Sequence, residues 1–191
     1  EKYRKLEASW SLLVIKLNNG SVEADMAIIA VGVQPETKLA KDAGLKVNER
    51  GSIVVNERME TSEKDIYAVG DTVEVTDFVT GEKAFIPLAG PANKQGRIAA
   101  DNICGIESKY SGTQGSSILK IFDMTVAMTG INERTAKALG YNYDKVFTYS
   151  PSHAAYYPGG TNMSIKTIFE KDTGKILGAQ IVGFDGVDKR C

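Results

Sequence analysis

The stretch that most restricts the fold is Glu60-Thr61-Ser62-Glu63-Lys64-Asp65-Ile66-Tyr67-Ala68-Val69-Gly70-Asp71, in which a short apolar segment ends on a glycine and then a bare carboxylate. Ile66, Ala68 and Val69 are residues that a parallel strand buries on both faces, and Gly70 permits a sharp exit at the strand's carboxyl end. This predicts Asp71 at the rim of an open α/β sheet, where ligands lie beyond the carboxyl ends of the strands. An ionised Asp only accepts hydrogen bonds, so its natural partner there is a polyhydroxyl chain. A Gly-Asp pair alone is an ordinary turn. It is the whole dozen residues that need explaining.

A chain of 191 residues is long enough for a sizeable core and for one or two domains. Lys+Arg of 23 and Asp+Glu of 24 nearly cancel, and with no basic stripe in the sequence no nucleic-acid partner is expected. No apolar run reaches the roughly 20 residues that cross a bilayer, and no signal-peptide pattern opens the chain. A soluble, cytoplasmic protein is expected. Cys104 and Cys191 are too few and too far apart for a disulfide framework or a metal cluster, which fits a reducing compartment. The first residue is not Met, and Gly186 to Arg190 reads as the opening of a helix too short to stand alone. The chain is therefore expected to be a carboxyl-side piece of a longer enzyme.

Ser11 to Leu17 is β-prone, and Asn18-Asn19-Gly20 turns it back antiparallel through Ser21 to Asp25. Met26 to Gly32 reads as a continuous buried strand closed by a glycine, which serves either structure or close backbone approach. Pro35 stops it, Thr37 caps a short helix through Ala43, and Gly44 ends that helix. Leu45 to Val47 and Ser52 to Val55 are expected as short strands, and Thr76 to Lys83 as a polar loop.

Behind Ala92, the apolar spacing of Ile98, Ala99, Asn102 and Ile103 predicts a helix that ends at Gly105. It begins near Leu88-Ala89-Gly90-Pro91, where a proline is tolerated because first-turn amides have no internal acceptor. Those amides and the positive end of the helix dipole suit a group that gains negative charge. Cys104, at the end of the apolar face, reads as a small buried hydrophobe rather than a nucleophile. Ser108 to Ser116 is rich in Ser and Gly and marks a domain boundary. Strands follow at Ser117 to Phe122, Thr125 to Gly130 and Lys145 to Tyr149, with a capped helix at Asn132 to Leu139. A hairpin of Asn162 to Glu170 and Lys175 to Val182 turns at Asp172-Thr173-Gly174, giving an α+β layer. His153, the only histidine, shares a loop with Tyr156 and Tyr157; an extended loop would turn one ring inward and the other out.

Thr61 to Asp71, together with Ile86-Pro87-Leu88-Ala89-Gly90-Pro91-Ala92-Asn93-Lys94-Gln95-Gly96-Arg97, His153-Ala154-Ala155-Tyr156-Tyr157-Pro158-Gly159 and Gly186-Val187-Asp188-Lys189-Arg190, resembles the flavin-dependent pyridine nucleotide-disulfide oxidoreductases, most closely the coenzyme A-disulfide reductase and NADH oxidase branch. The resemblance implies an α/β fold joined to an α+β one: residues 1–32 as the terminal strands of an NAD(P)-binding domain, 33–110 as the carboxyl-side segment of an FAD-binding domain, and 111–191 as a truncated dimerisation domain. It implies FAD and NAD(P)H as cofactors. Gly70 and Asp71 would meet the ribityl chain, Pro87, Leu88 and Ala89 would lie at the helix start beneath the flavin pyrimidine, and Gly32 would lie near the crossover between cofactor domains. In a homodimer Tyr156 or Tyr157 would be catalytic, reaching the partner's active site to hydrogen-bond a thiolate or leaving sulfur. The electron acceptor would be a small-molecule disulfide such as coenzyme A disulfide, or oxygen. The family's redox cysteine belongs to a segment that these residues do not include, and Gly105, Gly112 and Gly115 do not make a G-x-G-x-x-G fingerprint. These residues by themselves are accordingly expected to be inactive, or to act as a non-catalytic dimerisation module.

Overall fold

The computed structural model describes residues 7–9 and 12–190, so Ser11 and Cys191 lie outside the described residues. The chain forms two compact units, Glu1–Gln34 and Pro35–Cys191. In the first unit, β1 (Glu7–Ser9), β2 (Leu12–Leu17) and β3 (Gly20–Ala24) form an antiparallel sheet in chain order. Leu17 pairs with Gly20, so Asn18 and Asn19 make the expected two-residue turn. Met26 to Gly32 corrects the expectation of a buried strand: it joins no sheet, and Met26 (75%), Ile28 (84%) and Val31 (70%) are largely exposed. A parallel strand takes its backbone bonds and its cover from neighbours, and the described residues supply none here.

The second unit begins with α1 (Lys38–Asp42). Thr37 occupies its N-cap position but does not cap it; the hydroxyl donates to the carbonyl of Gly51 at 2.7 Å instead. The segments expected as strands around Glu49 to Gly51 reduce to a bridge, Val47 with Ile53, and Ile53 also bridges Val73 in parallel. Ile53, Val55, Met59, Val73, Val75, Ala99 and Tyr110 form one core. The 66–69 segment is less enclosed than its composition suggests. Ile66 (43%) and Val69 (38%) are exposed, Tyr67 and Ala68 pack on the core, and the segment's one bridge is antiparallel, Tyr67 with Glu60.

A short antiparallel pair, β4 (Val75–Thr76) and β5 (Lys83–Ala84), precedes α2 (Ala89–Ile103). The far end of α2 is closed as expected by Gly105 at φ 79°, with Gly105 N donating to Asn102 O and Ile106 N to Asp101 O. Its buried face is Gln95, Ala99 and Asn102, whereas Ile103 is 64% exposed. Cys104 is exposed too, which corrects its reading as a buried hydrophobe.

The Ser/Gly-rich 108–116 segment is tied down by backbone bonds from Tyr110 N to Glu57 O, Phe78 N to Thr113 O and Thr113 N to Thr76 O. Beyond it, β6 (Ser117–Ile121), β7 (Met124–Gly130), β8 (Tyr143–Pro151), β9 (Asn162–Glu170) and β10 (Ile176–Gly183) form an antiparallel sheet of order β6-β7-β10-β9-β8. α3 (Glu133–Ala138) starts on Asn132, whose side chain accepts from Thr135 N at 3.0 Å, and buries Ala136 against Ile168 and Leu177. The fold is thus α/β followed by an α+β layer.

Candidate functional site

Gly70 holds φ 87°, the left-handed conformation that lets the chain leave the 66–69 segment sharply. Its amide donates at 2.8 Å to Oε1 of Gln95, a side chain only 1% exposed. That bond fastens the Gly-Asp exit to the second turn of α2. Asp71 follows with its side chain exposed. Gln95 was not singled out in the sequence. The available signal was its place in the series 92, 95, 99, 102, which marks the inner face of the helix.

At the start of α2, Leu88 is the extended N-cap residue (φ −137°, ψ 145°), no side chain caps the helix, and its first turn carries no acidic residue. The amides of Ala89 and Gly90 are therefore first-turn donors with no side-chain cap, and Pro91 has no N–H to add. Pro87 and Leu88 are half-buried; Ala89 is exposed. A Cβ built on Gly70, Gly90 or Gly96 would meet nothing within 4 Å, so the surface over these backbones is open. The structure joins Gly70 to α2, but Asp71, Pro87, Leu88 and Ala89 are not among the lining residues of the hollow at the start of that helix. The first turn of α2 does line a hollow, through Gly90, Pro91 and Lys94, with Tyr110 and Gly112 opposite. Gly32, at φ 88°, belongs to the first unit.

Tyr156 and Tyr157 lie in the loop between β8 and β9 and are 83% and 61% exposed. Their rings pack on each other, 4.8 Å between centroids and tilted by 39°. The expected alternation of one ring in and one out does not occur, because the loop is turned: Tyr157 N donates to Ala154 O at 3.0 Å. Edge-on contact from His153 reaches Tyr157, with centroids 6.4 Å apart and planes at 78°.

Two charged clusters brace the unit. Glu133 accepts from Lys145 at 2.6 Å and Lys166 at 3.1 Å, tying α3 to β8 and β9; hydrogen bonds from these two lysines hold its carboxyl below the usual range, and the same pairing raises Lys145. Glu60 is held low first by the Asn56 amide, which donates to it at 2.7 Å. Among the described residues no group of three or more His, Cys, Asp or Glu is placed to hold a metal ion, and no helix is long and apolar enough to cross a membrane.

A family model described as pyridine nucleotide-disulphide oxidoreductase matches residues 1–96, and one for the dimerisation domain of the same family matches residues 116–190. The chain is 37% identical over 183 residues to an NAD(P)H sulfur oxidoreductase (CoA-dependent) of Pyrococcus furiosus, covering 96% of this chain and 41% of that one. It is 43% identical over 168 residues to an NADH oxidase of Methanocaldococcus jannaschii, covering 88% of this chain and 37% of that protein. A solved structure of reduced Bacillus anthracis CoADR-RHD superposes with a TM-score of 0.88 at 52% identity, covering 98% of this chain and 34% of its own. The chain thus spans about two fifths of the curated relatives it matches.

Proposed function

The chain belongs to the pyridine nucleotide-disulphide oxidoreductase family, and from that premise we propose that it forms part of an FAD-dependent NAD(P)H oxidoreductase whose acceptor is a low-molecular-weight disulfide such as coenzyme A disulfide. Solved members work with FAD and with NADH or NADPH. In this reading residues 1–32 close a nicotinamide-binding domain, 33–110 complete an FAD-binding domain and 111–191 pair two subunits.

The observation that carries the reading is the bond from Gly70 N to Gln95, which joins a carboxylate-bearing exit to a helix whose start is uncapped. The donor set fits a flavin nucleotide. Asp71 offers a charged acceptor for the hydroxyls of a ribityl chain, and the Ala89 and Gly90 amides offer donors to a ring edge that becomes anionic. The helix dipole adds about 0.3–1 kcal/mol at such a position. When bound, FAD would supply the redox chemistry between NAD(P)H and the acceptor. Of this chain's residues, Tyr156 or Tyr157 would hydrogen-bond the thiolate or leaving sulfur in the partner subunit's site; both are largely exposed in their own chain. The M. jannaschii relative favours a second reading, oxygen as the acceptor.

These 191 residues contain no dinucleotide fingerprint, so by themselves they hold flavin weakly and do not turn over. The test is the intact mass and visible spectrum of the native protein, followed by Asp71→Ala. Flavin bands that weaken on gel filtration of the variant, with affinity down roughly 10- to 100-fold for a lost charged hydrogen bond, support the assignment. A native protein without flavin, or a variant that retains it fully, would sink it. Tyr156→Phe and Tyr157→Phe made separately should slow disulfide turnover in one case; unchanged rates in both would remove the loop from the chemistry.

A further inference from the structure

The loop between β8 and β9 is fixed at its neck and at its tip by different residues. At the neck, Ser152 is 7% exposed. Its amide donates to Thr161 O at 2.8 Å, its hydroxyl oxygen accepts from Thr161 N at 3.2 Å, and Arg190 Nη2 donates to its carbonyl at 3.3 Å. Those bonds determine where the loop leaves the sheet, not how its tyrosines stand. At the tip, the only ring touching the tyrosine pair among the described residues is His153.

His153 is itself held. Its Nδ1 lies 3.1 Å from Ala154 O, and the imidazole lies over Gly160, where an added Cβ would come within 3.2 Å of Cε1, 3.6 Å of Nε2 and 3.7 Å of Nδ1. Gly160 is not among the glycines at positive φ. Its φ does not call for a glycine, but a Cβ there would press on the imidazole, which would have to give by a few tenths of an ångström. We propose that His153, seated on Gly160, is a positioning residue for the tyrosine pair: its ring edge holds Tyr157, and Tyr157 in turn holds Tyr156. An exposed tyrosine without such a contact exchanges among its rotamers on the nanosecond scale, and an edge-to-face aromatic contact is strong enough to favour one arrangement by a roughly two- to tenfold margin. The proposal rests on the reading that one of these hydroxyls meets the substrate.

With a single histidine in the sequence, the imidazole protons give an unambiguous NMR signal. In the 191-residue chain we expect a cross-relaxation peak between His153 and the Tyr157 ring, weakened in Gly160→Ala, and tyrosine ring shifts that move in His153→Ala and return towards their unaltered values in His153→Phe, which keeps a flat ring at the same place. No such peak in the unaltered chain, or tyrosine ring shifts unchanged by His153→Ala, would overturn the proposal. A second arm uses the native flavoprotein: His153→Ala should lower kcat roughly two- to tenfold with KM little changed, and His153→Phe should restore it. If the tyrosine-to-phenylalanine variants slow turnover while His153→Ala does not, positioning by His153 is wrong and the tyrosine role stands. If neither tyrosine variant slows turnover, it is the catalytic reading of the loop that fails.

Discussion

Single residues decide how the Gly-Asp exit meets the helix. Gln95 is a polar side chain on a buried helix face, tolerable only because its Oε1 accepts the Gly70 amide. Replacing it by leucine keeps the volume but removes the acceptor, leaving a half-buried N–H without its partner at a cost of about 1–3 kcal/mol. Gln95→Leu should therefore lower the Tm and strip the Gly70 amide of its protection in hydrogen exchange. A Gly70 amide that stays protected would mean that another group fixes this exit. Gly178 presents the opposite problem, a lack of room. A Cβ there would fall against backbone, the carbonyl and nitrogen of Ile131 and the carbonyl of Thr129, at the point where the β9–β10 register slips. Backbone atoms in a sheet cannot swing aside as a flexible side chain can. Gly178→Ala should destabilise by about 1–3 kcal/mol or more, read as a lowered midpoint in urea, while Gly140→Ala, whose Cβ would meet nothing within 4 Å, should show the backbone strain of its φ of 73°, about 1–2 kcal/mol, and no steric cost beyond it.

At the scale of elements, α3 is held over one end of the sheet partly by charge. Hydrogen bonds from Lys145 and Lys166 depress Glu133, so its contribution is present at neutral pH and is lost as pH falls through the depressed folded value, below the ordinary carboxylate range. Lys145 is raised by the same bond, so its share is complete below the ordinary lysine range and disappears only as pH rises through the raised value. The Tm difference between the unaltered chain and Glu133→Gln should hence be flat around neutrality and shrink on acidification. A difference that grew towards acid would contradict the pairing. The same elements show what a sequence can reveal. β6 to β10 and α3 fall close to the expected strand segments, the Asn132 cap and the Asp172-Thr173-Gly174 turn, because those signals are local and the sheet pairs within itself. Met26 to Gly32 and Ile66 to Val69 were legible as strand-like but not as unpaired, since pairing depends on neighbours that composition cannot report. For the same reason Asp71 and the α2 start could be named from the sequence, whereas the Gly70–Gln95 bond and the His153–Tyr157–Tyr156 stack are tertiary and could not.

At the scale of the molecule, two stretches among the described residues gather exposed apolar side chains. In the first unit, Met26, Ile28, Ile29, Val31 and Val33 are each at least 70% exposed. In the second, register puts Leu119, Ile121, Val182, Phe147 and Tyr149 on one face of the five-stranded sheet: Leu119 and Val182 both pair with Val126, Val182 with Ser164, and Ser164 with Tyr149. α3 covers only the end of that face near Ile168. Apolar area left in water at these levels favours association. If residues 111–191 pair two subunits through the sheet, Leu119→Lys with Phe147→Glu should shift light scattering of the chain from a dimer towards a monomer, because charge at the centre of an interface is costly to desolvate. Ile28→Lys with Val31→Lys should instead reduce only the concentration-dependent aggregation expected of an exposed apolar run. A chain that scatters as a compact monomer at every concentration would refute both. A dimer dispersed by the 26–33 substitutions and indifferent to those on the sheet would place the interface in the first unit.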